Sequence, residues 1–481
     1  MKKLLKSILG VTPKNIAKIK RQNREIRRII GLSKESGKPI FEPNTTTSWL
    51  ILGGAGSGKS TAVTVPAILS LLRDHSRGQW INDVKAEIAP QIASMCIKHG
   101  RKFAVIDPTN QMGKDYPHTV HVNPLDHLIE AYKRKDTNLL SMVESFANII
   151  IPEPENDPKN KYFRQVPREI GELAALLILE NQPDNLTLGG IAALISDPET
   201  FNMAVDAACH DGNQFTKIRA RQFQEMRDND PEHASQHKLA IASALRLFQE
   251  GAAFHEVGYA SDITVKKLLD ENYIVCVVGS VAHAQLQGAY YGLVFNAVLH
   301  NQLSGKCGRT ILIFDECANT PAKEIIEKVT IFRSFGLQVL YIAQSLADLQ
   351  RQYGAKTIAT LEDNTFQQIL KVGNYEAAER LSKAIGDVDN VGYSLNEQGG
   401  KLNLSRTINI GRERKFSADQ LSNLHASEQI INVGKGYIHA DKCFQNYMFP
   451  YALELEANPV EGGILPPICK VTLPTTPWGQ S

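Results

Sequence analysis

The densest chemistry in the chain is a run of nine residues, Gly53, Gly54, Ala55, Gly56, Ser57, Gly58, Lys59, Ser60 and Thr61, which fits G-x-x-x-x-G-K-[ST]. Glycines at this density let successive backbone N–H groups turn inward around phosphate oxygens. Lys59 adds positive charge near the β and γ phosphates, and the Ser60 hydroxyl can ligate Mg2+. The run stands between an apolar strand-like segment, SWLILGG, and a helix-length one, TAVTVPAILSLLRD, the setting a phosphate loop requires. ATP and Mg2+ are the expected ligands. Hydrolysis also needs a carboxylate for the metal and a group that orients water. The segment ILIFDE supplies both, with Asp315 placed for the metal and Glu316 for the attacking water.

Three further signals are weaker. Gln344 ends the apolar run LQVLYIAQ, where a strand-end amide can sense a γ-phosphate. Arg333, in IFRSFG just before that run, could stabilise transition-state charge across a subunit interface or be an ordinary surface arginine. Asp83, Lys85 and Glu87 alternate in NDVKAE at another strand end, with individual roles open.

These residues need a parallel sheet to hold them. SWLILGG, GQWINDVKAE and RKFAVIDP are separated by helix-length segments, and strand–helix–strand alternation implies parallel strands with helices on both faces. Residues 128–254 then lose strand signals and take helical periodicity, as in ELAALLILEN and LAIASALRLFQE. Strands return in NYIVCVVGS, RTILIFDE and LQVLYIAQS, followed by TFQQILKV and EQIINVGKGYI towards the C-terminus. The expected class is therefore α/β, a P-loop domain in two parts, 44–127 and 255–450, around an inserted all-α domain. A basic extension, 1–43, precedes it, with a partial apolar stripe of Ile16, Ile19, Ile26 and Ile30 suited to anionic lipid, a partner or nucleic acid. A Pro-rich tail, 451–481, follows, expected to be extended or disordered and able to serve as a docking peptide.

Composition bounds the function classes. With 53 Lys+Arg against 51 Asp+Glu, the chain cannot coat nucleic acid by bulk charge, so any DNA contact must be patchy. Seven cysteines without a C-x-x-C pair fit reduced thiols rather than a disulfide or zinc framework, and His/Cys spacing suggests no metal beyond nucleotide-bound Mg2+. The N-terminal apolar run is too short for a signal peptide. Tyr273 to Gly305 is long enough to span a bilayer but is interrupted by His283, Gln285, Gln287 and Asn296, which reads as a buried strand and core helix. A dehydrogenase is not supported, because the glycine run ends in Lys-Ser.

Several separated stretches, in order, resemble a known family. WINDVKAEI, HGRKFAVIDP and HVNPLDHL are similar to segments of the type IV secretion coupling proteins, the TraG/TraD group of conjugation ATPases. The long stretch ILIFDECANTPAKEIIEKVTIFRSFGLQVLYIAQSLADLQRQYG and the later EAAERLSKAIG resemble that family too, so the likeness covers roughly Thr45 to Met448. It implies a RecA-like motor with an all-α insertion, assembled as a homo-hexamer, that drives DNA, single- or double-stranded, and attached protein such as a relaxase towards a type IV secretion channel. It further implies Lys59 and Ser60 as Walker A, Asp315 and Glu316 as Walker B, Gln344 as the motif glutamine and Arg333 as a trans arginine. Two departures stand out. Asp83-Val-Lys85-Ala-Glu87 replaces D-P-K-G-E, keeping the charges and losing the turn residues, and the usual pair of N-terminal transmembrane helices has no counterpart. The expectation is a cytoplasmic-side protein whose membrane contact, if any, is peripheral. Two alternatives are a HerA/FtsK-like soluble DNA pump and a non-translocating recruitment adaptor; an intact Glu316 disfavours the adaptor, since a switch has little use for a water-polarising carboxylate.

Overall fold

In the computed structural model, residues 26–153, 160–252, 254–280, 284–305, 307–319, 323–394 and 407–474 are described. Residues 1–25, with Ile16 and Ile19 of the apolar stripe, and the end of the tail, 475–481, lie outside them, whereas Ile30 is buried in the core of the sheet and Ile26 packs against it.

Short runs of Val, Ile, Leu, Trp and Phe, buried on both sides, build the centre of an 11-stranded sheet. Its strands are β1 (Ile29–Ser33), β2 (Pro39–Phe41), β3 (Trp49–Leu52), β4 (Arg77–Asp83), β5 (Phe103–Ile106), β6 (Ile274–Val278), β7 (Arg309–Phe314), β8 (Leu337–Ala343), β9 (Phe366–Ile369), then, beyond a separate hairpin of β10 (Asp387–Ser394) and β11 (Thr407–Arg414), β12 (Glu428–Asn432) and β13 (Tyr437–Asp441). The order is β2-β1-β13-β12-β9-β3-β8-β7-β4-β6-β5. From β9 to β5 every pairing is parallel, as the strand–helix alternation requires. From β9 outward through β12, β13, β1 and β2 the pairings are antiparallel.

Period-2 alternation sends neighbouring residues to opposite cores. Trp49 and Ile51 pack on one face with Ile81, Ile313 and Ile342, against α1 (Val65–Leu71) and α2 (Ile88–Lys98). Leu50 and Trp80 pack on the other with Phe314 and Tyr341, in an apolar cluster continuous with the helical insertion. Trp49 and Trp80 are fully buried, and side chains of this size stabilise by about 2–3 kcal/mol each.

The insertion follows β5 as α3 (Asp126–Lys133), α4 (Leu139–Ile150), α5 (Lys161–Asn181), α6 (Leu188–Ser196), α7 (Pro198–Asp211), α8 (Gln214–Asn229) and α9 (Pro231–Ala244). Side-chain caps start several of them, Thr187, Asp197, Asn213 and Asp230 each accepting backbone N–H bonds of the first turn.

The structure moves two of the expected boundaries. A basic extension to residue 43 does not stand apart from the motor, because β1 and β2 are strands of its sheet, and Arg28, fully buried, pairs with Glu42 and lies over Trp49. Much of the Pro-rich tail is also packed: Tyr451, Leu455, Val471 and Leu473 are buried in the core beside α1, and Met448–Phe449 pairs in parallel with Val471–Thr472. Apart from the helical turn Tyr451–Leu453, the chain there is extended, and its spaced apolar residues dock it on the core. All seven cysteines are free, and no helix among the described residues is long and apolar enough to cross a membrane.

Candidate nucleotide site

Parallel strands aim their carboxyl ends the same way, so β3, β7 and β8 deliver the phosphate loop, Asp315–Glu316 and Gln344 to one edge of the sheet. Gly56 and Gly58 take φ of +69° and +82°, a backbone region that side chains resist, and a Cβ at Gly53 would collide with the Ser57 hydroxyl. The loop feeds Ser60–Thr64, wound as π-helix, before α1 proper begins. A wide first turn of this kind is common at functional sites. The Lys59 ammonium folds back to donate to the Gly53 carbonyl at 2.9 Å.

Around Ser60 the structure assembles an oxygen cluster. Its hydroxyl donates to Glu87 at 2.9 Å and lies 3.2 Å from Asp315, while the Thr64 hydroxyl donates to the other Asp315 oxygen at 2.7 Å. Burial pushes the Asp315 carboxyl up to about 7; the Thr64 bond opposes this, while the charges of Glu87 and Asp83 add to it. Two buried carboxylates whose charges repel, with a hydroxyl between them, have the oxygen chemistry that Mg2+ prefers. The residues present therefore fit the expected cation.

Glu316 stands beside this cluster, 9% exposed, and accepts from the Gln344 amide at 3.3 Å. Burial raises its carboxyl, with Lys59 and Gln344 pulling the other way. The pairing brings together two residues that lie 28 positions apart in the chain.

The strand-end triplet divides into distinct tasks. Asp83 caps α2, accepting from the N–H groups of Glu87, Ile88 and Ala89 at 3.0, 2.9 and 2.8 Å, and burial lifts it to about 6 against those bonds. That cap holds Glu87 against Ser60. Lys85 is exposed, and its charge lowers both Asp315 and Glu316. Ala86, where the resemblance expects glycine, has φ of +57°.

Arg333 is not part of this cluster. It is exposed in the turn Phe332–Phe335, at the start of β8, whereas Gln344 follows its end. Seven strand residues at about 3.3 Å each separate the two by roughly 20 Å, so Arg333 does not reach the site of its own chain.

Sequence reasoning left Glu87 open and missed Thr64, Lys442 and Asn458. Thr64 is one helical turn after Ser60, a spacing that could have revealed it. Lys442, just past β13, is 2% exposed and donates to the carbonyls of Ser57 and Ala426 at 2.9 and 2.8 Å, pinning the phosphate loop from beneath. Burial, with the nearby Lys371 charge, lowers it to about 8. Asn458, from the tail, donates to Glu87 at 3.2 Å. Neither carries a local motif.

Comparison with known proteins agrees with this architecture. The family described as "Type IV secretory system Conjugative DNA transfer" matches residues 11–455. The conjugal transfer protein TraG of Rhizobium radiobacter is 24% identical over 403 residues, covering 79% of this chain and 59% of that protein. TraG of Agrobacterium fabrum is 23% identical, covering 79% of this chain and 57% of its own length, so the chain spans well under two thirds of both relatives. Among solved structures, plasmid coupling protein TrwB in complex with ADP and Mg2+ superposes with a TM-score of 0.60 at 14% identity, over 89% of this chain and 91% of that one. VirB4 of Thermoanaerobacter pseudethanolicus gives 0.51 at 16% identity, over 88% and 97%. With residues 11–455 matched, the chain belongs to the type IV secretory system conjugative DNA transfer family.

Proposed function

We propose that this protein is a P-loop ATPase that recruits DNA, or protein attached to DNA, and drives it towards a type IV secretion channel. One observation carries the catalytic part: the Ser60 hydroxyl sits between the carboxylates of Glu87 and Asp315, and the Glu316–Gln344 pair stands beside them at the mouth of the phosphate loop. When bound, Mg2+ supplies charge neutralisation to the β and γ phosphates. Ser60, Asp315 and Glu87 would hold it. Lys59 leaves the Gly53 carbonyl for the phosphates, and the loop N–H groups orient them. Glu316, raised by burial, takes the proton of the attacking water, and Gln344 holds that carboxylate while reporting whether the γ-phosphate is present.

Family membership supports DNA as cargo, with a relaxase or another secreted protein attached and channel components as the receiving side. The position of Arg333, about 20 Å from its own site, supports a ring, the homo-hexamer of this reading, in which each copy completes its neighbour's site. A cleft of about 850 Å³ in the helical insertion, lined by Leu177, Ala204 and Tyr259 with Glu180 and Asp211, gives a protein cargo a place to bind. The site itself works on the cytoplasmic side, where ATP is supplied, and membrane contact is peripheral.

The test is ATP turnover with and without single- and double-stranded DNA. Wild type should be stimulated by one DNA form, Lys59→Ala should neither bind nor hydrolyse, and Glu316→Gln should bind ATP yet turn over at least about a hundredfold more slowly. Turnover by an assembled protein that ignores every DNA would refute translocation and favour a recruitment ATPase.

A further inference from the structure

Helix α9 (Pro231–Ala244), in the insertion, carries His233 and His237 four residues apart. That spacing puts both side chains on one face of the helix, and their Nε2 atoms stand 3.0 Å from each other, with ring centroids 4.4 Å apart. The first turn is well fixed. Pro231 opens it, and Asp230 accepts the backbone N–H of His233 at 3.0 Å. Tyr162, from α5, stacks on His233 with centroids 5.9 Å apart and meets His237 edge-on at 5.6 Å, so one aromatic ring backs both imidazoles. His237 is 3% exposed and His233 is half-buried, while Tyr162 is itself 51% exposed.

Two imidazole nitrogens this close do one of two things: one donates its N–H to the other, or both turn lone pairs onto a shared cation. Metal–nitrogen bonds of about 2.0–2.1 Å put two such nitrogens about 2.9 Å apart at a right angle and about 3.4 Å apart at the tetrahedral angle, so 3.0 Å lies within the bite of a chelate. Burial, then the charge of His233, lowers the His237 imidazole, which keeps it in the unprotonated form that a metal needs. Imidazole suits Zn2+, Cu2+ and Ni2+, whereas the oxygen cluster at Ser60 suits Mg2+, so the two places take different ions. Two histidines at i and i+4 are also the metal-holding pair of the H-E-x-x-H motif. This chain reads His233-Ala-Ser-Gln-His237, with a buried Ala234 where that motif has its general-base glutamate, so the pair can hold a metal without the motif's hydrolysis. No third His, Cys, Asp or Glu joins it among the described residues. That is why spacing along the chain suggests no metal here; the close approach of the two rings on the folded helix is what points to one.

We infer that His233 and His237 form a two-histidine chelate for a divalent transition-metal ion, with water in the remaining coordination positions. The bound ion ties the first turn of α9 to its second. Cu2+ is held most tightly, ahead of Ni2+ and Zn2+, the order usual for nitrogen ligands.

The test uses the full chain without nucleotide, freed of metal with EDTA and titrated with CuCl2 and ZnCl2 by calorimetry, beside His233→Ala and His237→Ala. Wild type should bind its first Cu2+ more tightly than Zn2+, and excess MgCl2 should displace neither. Each variant should weaken that first Cu2+ by at least about tenfold. Electron paramagnetic resonance of the one-to-one Cu2+ complex should report two nitrogen ligands in wild type and fewer in the variants. Zn2+ should raise the melting temperature of wild type more than that of His233→Ala. All the other histidines remain in both variants, so binding that they supply survives the substitutions. A first Cu2+ bound equally well by wild type and His233→Ala, or a wild-type spectrum without two nitrogens, would overturn the assignment and leave the pair as an N–H···N hydrogen bond. The half-buried His233 decides alone if losing the buried His237 prevents folding.

Discussion

Replacing Lys442 with methionine removes a charge that the sequence gives no reason to notice. Its ammonium donates to the Ser57 and Ala426 carbonyls at 2.9 and 2.8 Å, and methionine, of similar length and no donor, leaves both acceptors without it. A buried acceptor stripped of its donor costs about 1–3 kcal/mol, so the pair amounts to about 2–6 kcal/mol, less whatever is regained by no longer burying a charge. Phosphate held on the far side of the loop lies on the order of 7 Å from that ammonium, and at an effective dielectric of about 20 their attraction is roughly 2 kcal/mol, halved or more by salt. Lys442→Met should therefore lower stability in urea and weaken ADP binding by about fivefold. The pH dependence gives a sharper check. Because burial lowers Lys442 from 10.5 to about 8, the unfolded chain holds more protons between those values, and its share of stability rises as pH climbs from about 8 towards 10.5. The neutral amine still donates to both carbonyls, so the gap between wild type and Lys442→Met should widen from pH 7 to pH 9.5. A variant matching wild type in urea midpoint and ADP affinity at both pH values would refute the account.

Other expectations are more direct. Ala86→Gly should stabilise the chain by about 0.5–1 kcal/mol in denaturant titrations, since φ of +57° strains alanine by about 1–2 kcal/mol and glycine gives back part of that in entropy. Glu87→Ala should raise the Mg2+ concentration for half-maximal ATP turnover by about tenfold, as loss of an oxygen beside the metal position does elsewhere. Mixing Arg333→Ala with Glu316→Gln subunits, each inactive alone, should restore up to about a quarter of wild-type turnover, because a randomly mixed ring pairs an intact site with an intact arginine at one interface in four; no recovery would count against a trans arginine. Glu172, beside Arg219 in the insertion, is raised by burial to about 7, so the folded state holds its proton above the unfolded range and stability falls as pH rises from about 4.5 through 7. The melting temperature of Glu172→Gln should accordingly gain on wild type between pH 5 and pH 8, and a constant difference would contradict the assignment.

What could be read from sequence follows the range of the forces involved. The phosphate loop, β3, β7 and β8 were legible because each is a local pattern: glycines that must turn, or apolar runs buried on both faces. Their parallel pairing followed from the helices between them. The antiparallel wing was legible in part: TFQQILKV and EQIINVGKGYI read as strands and contain β9, β12 and the start of β13. Their antiparallel pairing was not, because β1 pairs with β13 across most of the chain and no local pattern announces that partner. The triplet Asp83, Lys85 and Glu87 showed that charge gathers at a strand end, yet only the helix cap made by Asp83 decides that Glu87 is the residue facing Ser60.

The same distinction explains how the site is completed. Motifs supply the phosphate and metal half, which any P-loop protein must have. The remaining contacts come from the last part of the described chain: Lys442 under the loop, Phe444 against Gly58, and Asn458 on Glu87. All of these contacts depend on the antiparallel wing, which carries the chain back across the sheet. Nucleotide bound here touches the loop and, through it, the returning segment, so binding energy at the phosphates is shared with residues 442–465. Changes in that segment should alter nucleotide affinity even where no motif residue is touched. Conversely, nucleotide should protect the backbone amides of 442–465 from hydrogen exchange as well as those of the loop. Protection confined to the loop would show that the tail packs on the motor without belonging to its site.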